Sequence, residues 1–440
     1  MNIIFITLSN INEVRERGIY ADLMRKFRDK GHGVYIVSPC ERRMGQRTHV
    51  IETNGVKILK VRTLNIQKTN LAEKGVGTLL IEKQFKWAIC KYLGDVRFDL
   101  ILYSTPPITF TNVVRYLKRQ NPDAVSYLLL KDIFPQNAVD IGMLKKETVP
   151  HKPTPRGDGL LKGAVKAVMG LPKCMLYRFF RKKEVALYKA SDYIGCMSPA
   201  NVEFVIRHND FIDPKRVEVA PNSVELEDGL LRENLADDEQ TKAERRDIRT
   251  KYGLPVDKPI FIYGGNLGKP QDIPFLIDCL ETNRYRTDCY FLVVGTGTEY
   301  DHLKSWMDEV ERKGENVCVK VMKGLPKQDY DLLVRSCDVG MIFLDHRFTI
   351  PNYPSRLLSY LEYRMPVICC TDPNTDIGRI AEENGYGYWC ESVKPADFTA
   401  LVDKMLRSDR KTMGERGFEF LKKNYTVQNT YDVIVKHLGG

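Results

Sequence analysis

Two glycine-rich loops in the second half of the 440-residue chain have the composition of phosphate-binding loops. Glycine lets the backbone approach a ligand closely, and a helix that follows such a loop offers free N–H groups to a phosphate. Either loop alone could equally be a tight turn, because the fingerprint GxGxxG is absent. Since both loops follow predicted strands of one domain, together they predict a nucleotide crevice. The candidate residues are Gly265, Asn266, Gly268, Lys269 and Gln271 in the first loop, and Gly295 and Gly297 in the second.

The most specific pattern is the segment 350–368, which reads IPNYPSRLLSYLEYRMPVI. Ser355 is expected to cap a helix, which places Arg356 in the first helical turn. A basic residue there is unfavourable for the helix dipole unless an anion binds nearby. Arg356 is therefore a candidate anion ligand, and the alternative is an exposed arginine that is tolerated at small cost.

The first half of the chain offers two further candidate positions. Arg17 and Gly18 precede a helical pattern over residues 19–27. Lys131 and Asp132 follow the predicted strand Val125–Leu130, which places them at the carboxyl edge of a sheet. A residue such as Asp132 is more often a turn or cap residue than a catalytic one, so both interpretations stay open.

The candidate residues can meet in one site only if the strands before them end at the same edge of a sheet. Along the chain, short β-rich runs alternate with helical patterns. This alternation predicts an α/β fold with largely parallel sheets, in which ligands bind outside the carboxyl ends of the strands. We expect two Rossmann-like domains that face a central cleft, over residues 1–224 and 256–424, with a polar linker at 225–255. The predicted strands are Ile3–Leu8, Gly33–Val37, Lys57–Val61, Leu100–Tyr103, Val125–Leu130, Tyr193–Met197, Ile260–Tyr263, Cys289–Val294, Val317–Val321, Val339–Phe343 and Pro366–Cys370.

With these motifs in this order, the chain resembles glycosyltransferase family 4, whose members are retaining enzymes of the GT-B fold. The resemblance is strongest to the branch that builds bacterial capsule, O-antigen and exopolysaccharide. It covers nearly the whole chain and rests on the segment 350–368, called here the third element. It also rests on the motifs Arg17-Gly-Ile-Tyr20, Gly31-His-Gly-Val34, Asp132-Ile-Phe-Pro135, Pro221-Asn-Ser-Val224 and Gly264-Gly-Asn-Leu-Gly268.

The resemblance implies a hexosyltransferase that moves a sugar from a nucleotide-diphosphate sugar, with UDP the commonest carrier, to a lipid-linked (polyprenyl diphosphate) saccharide. The resemblance implies that the final helix, within residues 425–440, crosses back onto the first domain. We expect no cofactor, and we expect no metal ion because no acidic cluster in the sequence resembles a metal site. The catalytic residues implied are Asp132, Lys269 and Arg356. The donor-binding residues implied are Arg17, Gly18, Gly265, Asn266, Gly268, Gln271, Gly295, Gly297, Met322, Lys323, Gly324, Ser355, Ser359 and Tyr360.

The chain also departs from the family pattern. Many members carry two glutamates eight positions apart in the third element, where this chain has Pro351 and Ser359. The arginine and lysine usual in the first glycine loop correspond to Asn266 and Gln271. Two alternatives therefore stay open: a sugar-nucleotide epimerase of the same fold, and a non-catalytic subunit that binds a sugar nucleotide.

The net charge of +10 is concentrated in one segment, because residues 151–190 contain ten lysine and arginine residues against two acids. Large apolar residues accompany these charges, a combination that suits an anionic membrane surface, although a solvated helical face is the simpler alternative. Pro172 is expected to split the segment into two helices. Nucleic acid is disfavoured because no recognition motif accompanies the charge. The candidate membrane or acceptor residues are Leu160, Leu161, Val165, Phe179, Phe180, Arg181, Lys182 and Lys183.

The same sequence features predict the cellular location. No run approaches the ~18 apolar residues of a membrane-spanning helix, and the N-terminal residues 1–9 are interpreted as a strand and not as a signal peptide. The odd number of cysteines, eleven, and the absence of CxxC spacing favour reduced thiols. We therefore expect a cytoplasmic protein that is peripheral on the inner face of the cell membrane.

Overall fold

A computed structural model describes residues 1–66, 71–146, 160–226, 239–315 and 317–439. Within these ranges the side chains of residues 71–76, 78, 79 and 160–172 lie outside the description. The chain divides into two compact units, Met1–Val224 with Val427–Gly440, and Glu225–Thr426. Each unit is an α/β structure built on one sheet.

The first unit contains an eight-stranded sheet in the order β3-β4-β2-β1-β5-β6-β7-β8 among its described residues. Only β3 is antiparallel, where it pairs with β4 at the edge. The strands are β1 (Asn2–Ile6), β2 (Gly33–Glu41), β3 (His49–Thr53), β4 (Val56–Thr63), β5 (Leu100–Ser104), β6 (Val125–Leu130), β7 (Tyr193–Cys196) and β8 (Val217–Val219). The helices are α1 (Ile19–Asp29), α2 (Leu71–Leu93), α3 (Thr111–Gln120), α4 (Gln136–Asp140), α5 (Leu160–Ala190) and α6 (Pro199–Arg207), together with the last helix of the chain, α15 (Val427–Val435).

The second unit contains a six-stranded parallel sheet in the order β11-β10-β9-β12-β13-β14. Its strands are β9 (Ile260–Asn266), β10 (Tyr290–Thr296), β11 (Val319–Lys323), β12 (Val339–Phe343), β13 (Val367–Thr371) and β14 (Gly387–Glu391). Its helices are α7 (Glu239–Lys251), α8 (Ile273–Asn283), α9 (Tyr300–Arg312), α10 (Lys327–Arg335), α11 (Arg356–Glu362), α12 (Ile377–Glu383), α13 (Pro395–Arg407) and α14 (Arg410–Asn424).

The predicted α/β class with largely parallel sheets is confirmed, and every predicted strand is present. Three strands were missed. Strands β3 and β14 lie at sheet edges, where one side has no strand neighbour, and β8 is only three residues long. None of the three gives a continuous apolar run, because β3 and β14 carry polar residues and β8 is short. The prediction of buried strands depends on such runs.

The prediction that Pro172 divides the basic segment is wrong, because α5 is one helix of 31 residues. Proline removes a single backbone donor, and a helix can continue beyond it with a bend. No helix in the described part of the chain is long and apolar enough to cross a membrane.

The C-terminal segment packs within the first unit. The ring of Tyr431 lies 5.0 Å from that of Phe27 on α1, and its hydroxyl lies 2.9 Å from Nε2 of His32. The Glu218 carboxylate on β8 lies 2.9 Å from His437 Nε2 and accepts a hydrogen bond from the Tyr127 hydroxyl at 2.8 Å. The last residues thus contact the first helix and the last strand of this unit.

Helix α7 packs within the second unit through a buried ionic contact. Arg249 Nη2 lies 2.7 Å from Asp338 Oδ2, and Arg245 Nη2 lies 2.6 Å from Asp338 Oδ1. Asp338 also accepts a hydrogen bond from the backbone N–H of Ile260 at the start of β9. One carboxylate therefore joins α7 to the central strands.

Replacing Asp338 by alanine should destabilise the second unit by about 3 kcal/mol or more, because it leaves the buried Arg249 guanidinium unpaired. Urea unfolding followed by the fluorescence of Trp306 and Trp389 measures this loss. Asp329→Ala is the matched control, because its partner Lys251 is exposed and such pairs contribute less than about 1 kcal/mol. Equal losses in both variants would contradict the assignment.

Candidate functional site

The first glycine loop, at the carboxyl end of β9, is held by its own amide side chains. The Gln271 side-chain oxygen accepts hydrogen bonds from Asn266 Nδ2 at 2.9 Å and from the Gly268 backbone N–H at 3.1 Å. The Tyr263 hydroxyl donates to the Asn266 carbonyl at 2.8 Å. Gly265 and Asn266 remain exposed, so the loop presents its backbone while Asn266 and Gln271 fix its shape.

The second glycine loop packs directly against the first. A Cβ atom on Gly295 would lie 2.1 Å from the Gly265 carbonyl oxygen, and one on Gly297 would lie 2.1 Å from the Leu267 carbonyl oxygen. Both distances are too short for any side chain. Glycine is therefore required at these positions for two backbones to meet, whether or not a ligand binds.

The segment Met322, Lys323 and Gly324 adjoins the second loop. Lys323 lies at the end of β11, in register with Gly295, and the Gly324 N–H donates to the Gly295 carbonyl at 2.9 Å. Lys323 and Gly324 are exposed. The three strand ends β9, β10 and β11 thus bring these candidate donor residues together on one edge of the sheet.

Arg356 is the first residue of α11, and Ser355 occupies the N-cap position. The guanidinium carbon lies 4.2 Å from the centre of the Tyr263 ring and 3.7 Å from the place where a Gly265 Cβ would be. Gly265 has φ +122°, a conformation that favours glycine. The Arg356 side chain therefore lies over β9 directly beside the exposed part of the first glycine loop.

Two buried donors in this element have no hydrogen-bond acceptor among the described residues. They are Arg356 Nη1 and Asn352 Nδ2, both without accessible surface. A buried N–H group without a partner costs free energy, and more so when it carries charge. Their positions suit the oxygen atoms of a ligand. Sequence reasoning missed Asn352, whose only signal was its place in the motif.

The other residues predicted on α11 differ in accessibility. Tyr360 is fully buried, and its hydroxyl accepts from the Gly264 N–H at 3.1 Å and lies 3.2 Å from the Ile262 carbonyl. It therefore positions the end of β9 and has no surface for a ligand. Ser355 and Ser359 are half-buried.

Lys269 lies in a short 3-10 helix, Lys269–Gln271, and is exposed.

Asp272, which follows this 3-10 helix, forms a group with Asp345 and His346. One carboxylate oxygen or imidazole nitrogen from each residue lies within 4.8 Å of the others. Arg347 pairs with Asp345 through both carboxylate oxygens, so part of the negative charge is already neutralised. Burial and the nearby Asp345 carboxylate raise the pKa of Asp272.

Asp132 in the first unit lies in the loop after β6. The Thr105 hydroxyl oxygen accepts from the backbone N–H groups of Lys131 and Asp132, at 2.9 and 3.2 Å. Asn137 Nδ2 donates to Asp132 Oδ1 at 2.5 Å. Burial, aided by Glu184, raises the pKa of Asp132 to about 6, so this carboxyl titrates close to neutral pH.

Lys131 and the Arg17-Gly18 pair are also held by local contacts. Lys131 Nζ donates to the Ala220 carbonyl at 2.7 Å, and burial lowers its pKa to about 7. Gly18 is the N-cap residue of α1, and its N–H donates to Asp22 Oδ1 at 3.0 Å. Arg17 is half-buried in the loop that precedes α1.

The predicted membrane residues on α5 divide into two faces. Phe180 packs on Phe134 at 4.9 Å, and Arg181 pairs with the buried Glu184, so both take part in contacts within the unit. Phe179 and Lys182 are exposed, and Lys183 is half-buried. The side chains of Leu160, Leu161 and Val165 lie outside the described residues.

Comparison with known proteins classifies the second unit. Residues 244–420 match the family described as "Glycosyl transferases group 1". The chain carries a group 1 glycosyltransferase domain. WbjE of Pseudomonas aeruginosa, described as a probable glycosyltransferase, is 20% identical over 303 residues, which are 68% of this chain and 64% of that relative's length.

Solved structures establish the fold of the whole chain. WaaG, a glycosyltransferase involved in lipopolysaccharide biosynthesis, matches with a TM-score of 0.61 at 11% identity, covering 100% of both chains. HepE of Anabaena in complex with UDP-glucose matches with a TM-score of 0.61 at 13% identity, covering 100% of this chain and 99% of HepE. The fold is thus that of the GT-B glycosyltransferases.

The titration of Asp132 should make the free energy of unfolding depend on pH. Because the folded pKa lies above the unfolded value near 4, the folded state binds the proton more tightly, and stability should fall as pH rises from about 4 to 6. Asp132→Asn should remove this fall, which is about 3 kcal/mol at most. Urea unfolding at several pH values measures it. An identical pH profile in both proteins would contradict the raised pKa.

Proposed function

We propose that the chain is a retaining glycosyltransferase that moves a sugar from a nucleotide-diphosphate sugar, with UDP as the carrier, to a lipid-linked saccharide in surface polysaccharide biosynthesis. The group 1 domain supports the reaction class. The UDP-glucose bound to HepE supports the donor, and the lipopolysaccharide role of WaaG supports the pathway class.

The observation that carries this proposal is the environment of Arg356. Its Nη1 atom is buried without an acceptor among the described residues, while its guanidinium lies over Tyr263 beside the glycine loop. A cation in this state favours an anionic oxygen strongly, because a charge-assisted hydrogen bond would satisfy the unpaired donor. A diphosphate beside the exposed backbone of Gly265 and Asn266 provides such oxygens.

In the proposed reaction the bond between the anomeric carbon and the diphosphate oxygen breaks as the acceptor oxygen bonds to the same face of the sugar. The acceptor proton passes to the departing diphosphate oxygen. The task of the protein is to stabilise the charge that develops on the diphosphate and to orient both substrates. We assign the first task to Arg356, Lys269 and the loop N–H groups, and the second to Asp132.

The absent glutamates do not leave the third element without polar groups. Pro351 and Ser359 occupy the glutamate positions, but Asn352 Nδ2 is buried and unpaired in the part of the chain that the structure describes. The Nδ2 group donates to the lone pair of an oxygen, whereas an ionised carboxylate can only accept hydrogen bonds. We therefore infer that sugar or phosphate contacts at this end are made by donors.

Arg356→Ala should weaken UDP binding roughly 10- to 100-fold, the value of one charge-assisted hydrogen bond. Isothermal titration with UDP measures the loss, and Arg356→Lys, which keeps the charge, should recover part of the affinity. Arg379→Ala removes an exposed arginine paired with Glu383 and should bind UDP like the wild type. Unchanged affinity in Arg356→Ala would remove this residue from the donor site.

Transfer itself separates the three functional hypotheses. Incubation of a nucleotide-sugar panel with a lipid-extract acceptor, analysed by mass, should give an extended lipid-linked product only when the acceptor is present. Asp132→Asn should abolish this product while leaving UDP binding unchanged. Turnover without an acceptor would indicate an epimerase, and UDP binding without any turnover would indicate a non-catalytic partner.

A further inference from the structure

Three helices of the first unit, α2, α3 and α5, form one layer. The Glu82 carboxylate on α2 accepts hydrogen bonds from the backbone and side-chain N–H groups of Asn112, next to the start of α3, at 2.5 and 2.9 Å. Lys183 Nζ on α5 lies 3.9 Å from the same carboxylate. The basic segment recognised in the sequence is therefore only one part of a wider surface.

The exposed charges of this layer are basic among its described side chains. Among the described side chains of the three helices, the acids are Glu82 and Glu184, and both are buried with 8% and 4% exposure. The Glu82 carboxylate accepts from Asn112 on α3, and the Glu184 carboxylate accepts from Arg181 on its own helix, so neither is exposed to solvent. The basic residues of the same stretches are Lys83, Lys86, Lys91, Arg115, Lys118, Arg119, Lys173, Arg178, Arg181, Lys182, Lys183 and Lys189.

Helix α2 also exposes large apolar side chains among these charges. Trp87 is 54% exposed and Leu80 is 38% exposed. Lys83 and Lys91 lie four residues on either side of Trp87, which places them on the same helical face. Lys91 Nζ lies 5.1 Å from the centre of the Trp87 ring. This face combines an exposed indole with flanking ammonium groups.

Helix α5 repeats the combination. Met175, Leu176 and Phe179 are exposed by 67%, 45% and 37%, and Arg178 and Lys182 lie between and beside them. Tryptophan and lysine are the residues that favour the boundary between lipid headgroups and acyl chains. Among the described side chains of this layer, basic charge without exposed acids complements an anionic lipid surface.

We propose that α2 carries a second membrane anchor centred on Trp87, so that the first unit binds an anionic bilayer through the α2, α3 and α5 layer and not through α5 alone. The proposal rests on the proposed function only in that a lipid-linked acceptor is found at a membrane. The bound surface would adjoin the Asp132 loop, because Phe180 on the inner face of α5 packs on Phe134.

Tryptophan fluorescence tests the anchor directly. The chain has three tryptophans, and Trp306 and Trp389 donate to Glu281 and Thr371 within the second unit. With Trp306→Phe and Trp389→Phe, the emission reports Trp87. Vesicles of phosphatidylglycerol and phosphatidylcholine should shift this emission to shorter wavelength, whereas phosphatidylcholine alone should not. An unshifted emission while the protein floats with the vesicles would overturn the assignment of Trp87.

Flotation with the same vesicles gives the contribution of each feature. Trp87→Ala should weaken binding roughly tenfold, as expected for withdrawing a large apolar side chain from the interface. Its control is Tyr285→Ala, since Tyr285 is 58% exposed in the second unit. The double substitution Lys83→Gln and Lys91→Gln should weaken binding by about 25-fold. Its control is the double substitution Lys313→Gln and Lys422→Gln, which changes exposed lysines of the second unit and should leave binding unchanged.

UDP titration of each variant keeps the two proposals separate. Loss of flotation with unchanged UDP affinity supports the anchor and shows that the variant is folded. Flotation equal to wild type in the Trp87 and lysine variants overturns the anchor, even if UDP binds normally. Normal flotation without UDP binding overturns the proposed function alone. A change in oligomeric state in Trp87→Ala, with no change in flotation, would assign this face to a second copy of the chain.

Discussion

The candidate site depends on two strand ends that lie in contact without any side chain between them. Gly295 and Gly297 face the carbonyl oxygens of Gly265 and Leu267, so even a methyl group would separate the loops. The same requirement extends to Gly264, where a Cβ would lie 1.8 Å from the Tyr330 hydroxyl oxygen. Close packing of this kind transmits any change in volume. The exposed backbone of the first loop thus has a fixed shape before any ligand arrives.

A second constraint is electrostatic. Arg356 lies over the Tyr263 ring, and its buried Nη1 atom makes no hydrogen bond to the described residues. In the first unit, Asp132 lies where burial favours its neutral form. The charged form of Asp132 is therefore less stable than it would be in water, whereas the neighbouring tyrosines raise the pKa of Arg356, so its guanidinium stays charged while one buried donor lacks an acceptor among the described residues. Perturbed groups of this kind are typical of functional sites, which is why the proposal places chemistry on these two residues.

Much of the fold and the grouping of the candidate loops could be predicted from the sequence, because buried parallel strands give apolar runs and the loops after them lie at one sheet edge. The roles of single residues could not. Asn266 and Gln271 are predicted donor ligands, and the sequence does not show that they also hydrogen-bond each other. Tyr360 lies in the most specific motif, but its hydroxyl holds the strand end. The exposure of Trp87 could not be predicted from the sequence, because it depends on which face of α2 packs against the first unit.

The most direct test of the account is the structure of the protein with UDP bound. The account predicts diphosphate oxygens within hydrogen-bonding distance of Arg356 Nη1, with the exposed backbone of Gly265 and Asn266 beside them. The glycine loops should keep their present shape, because their packing fixes it. The account would be contradicted if UDP at saturating concentration bound away from these loops. It would also be contradicted if UDP bound beside the loops while Arg356 made no contact with the diphosphate.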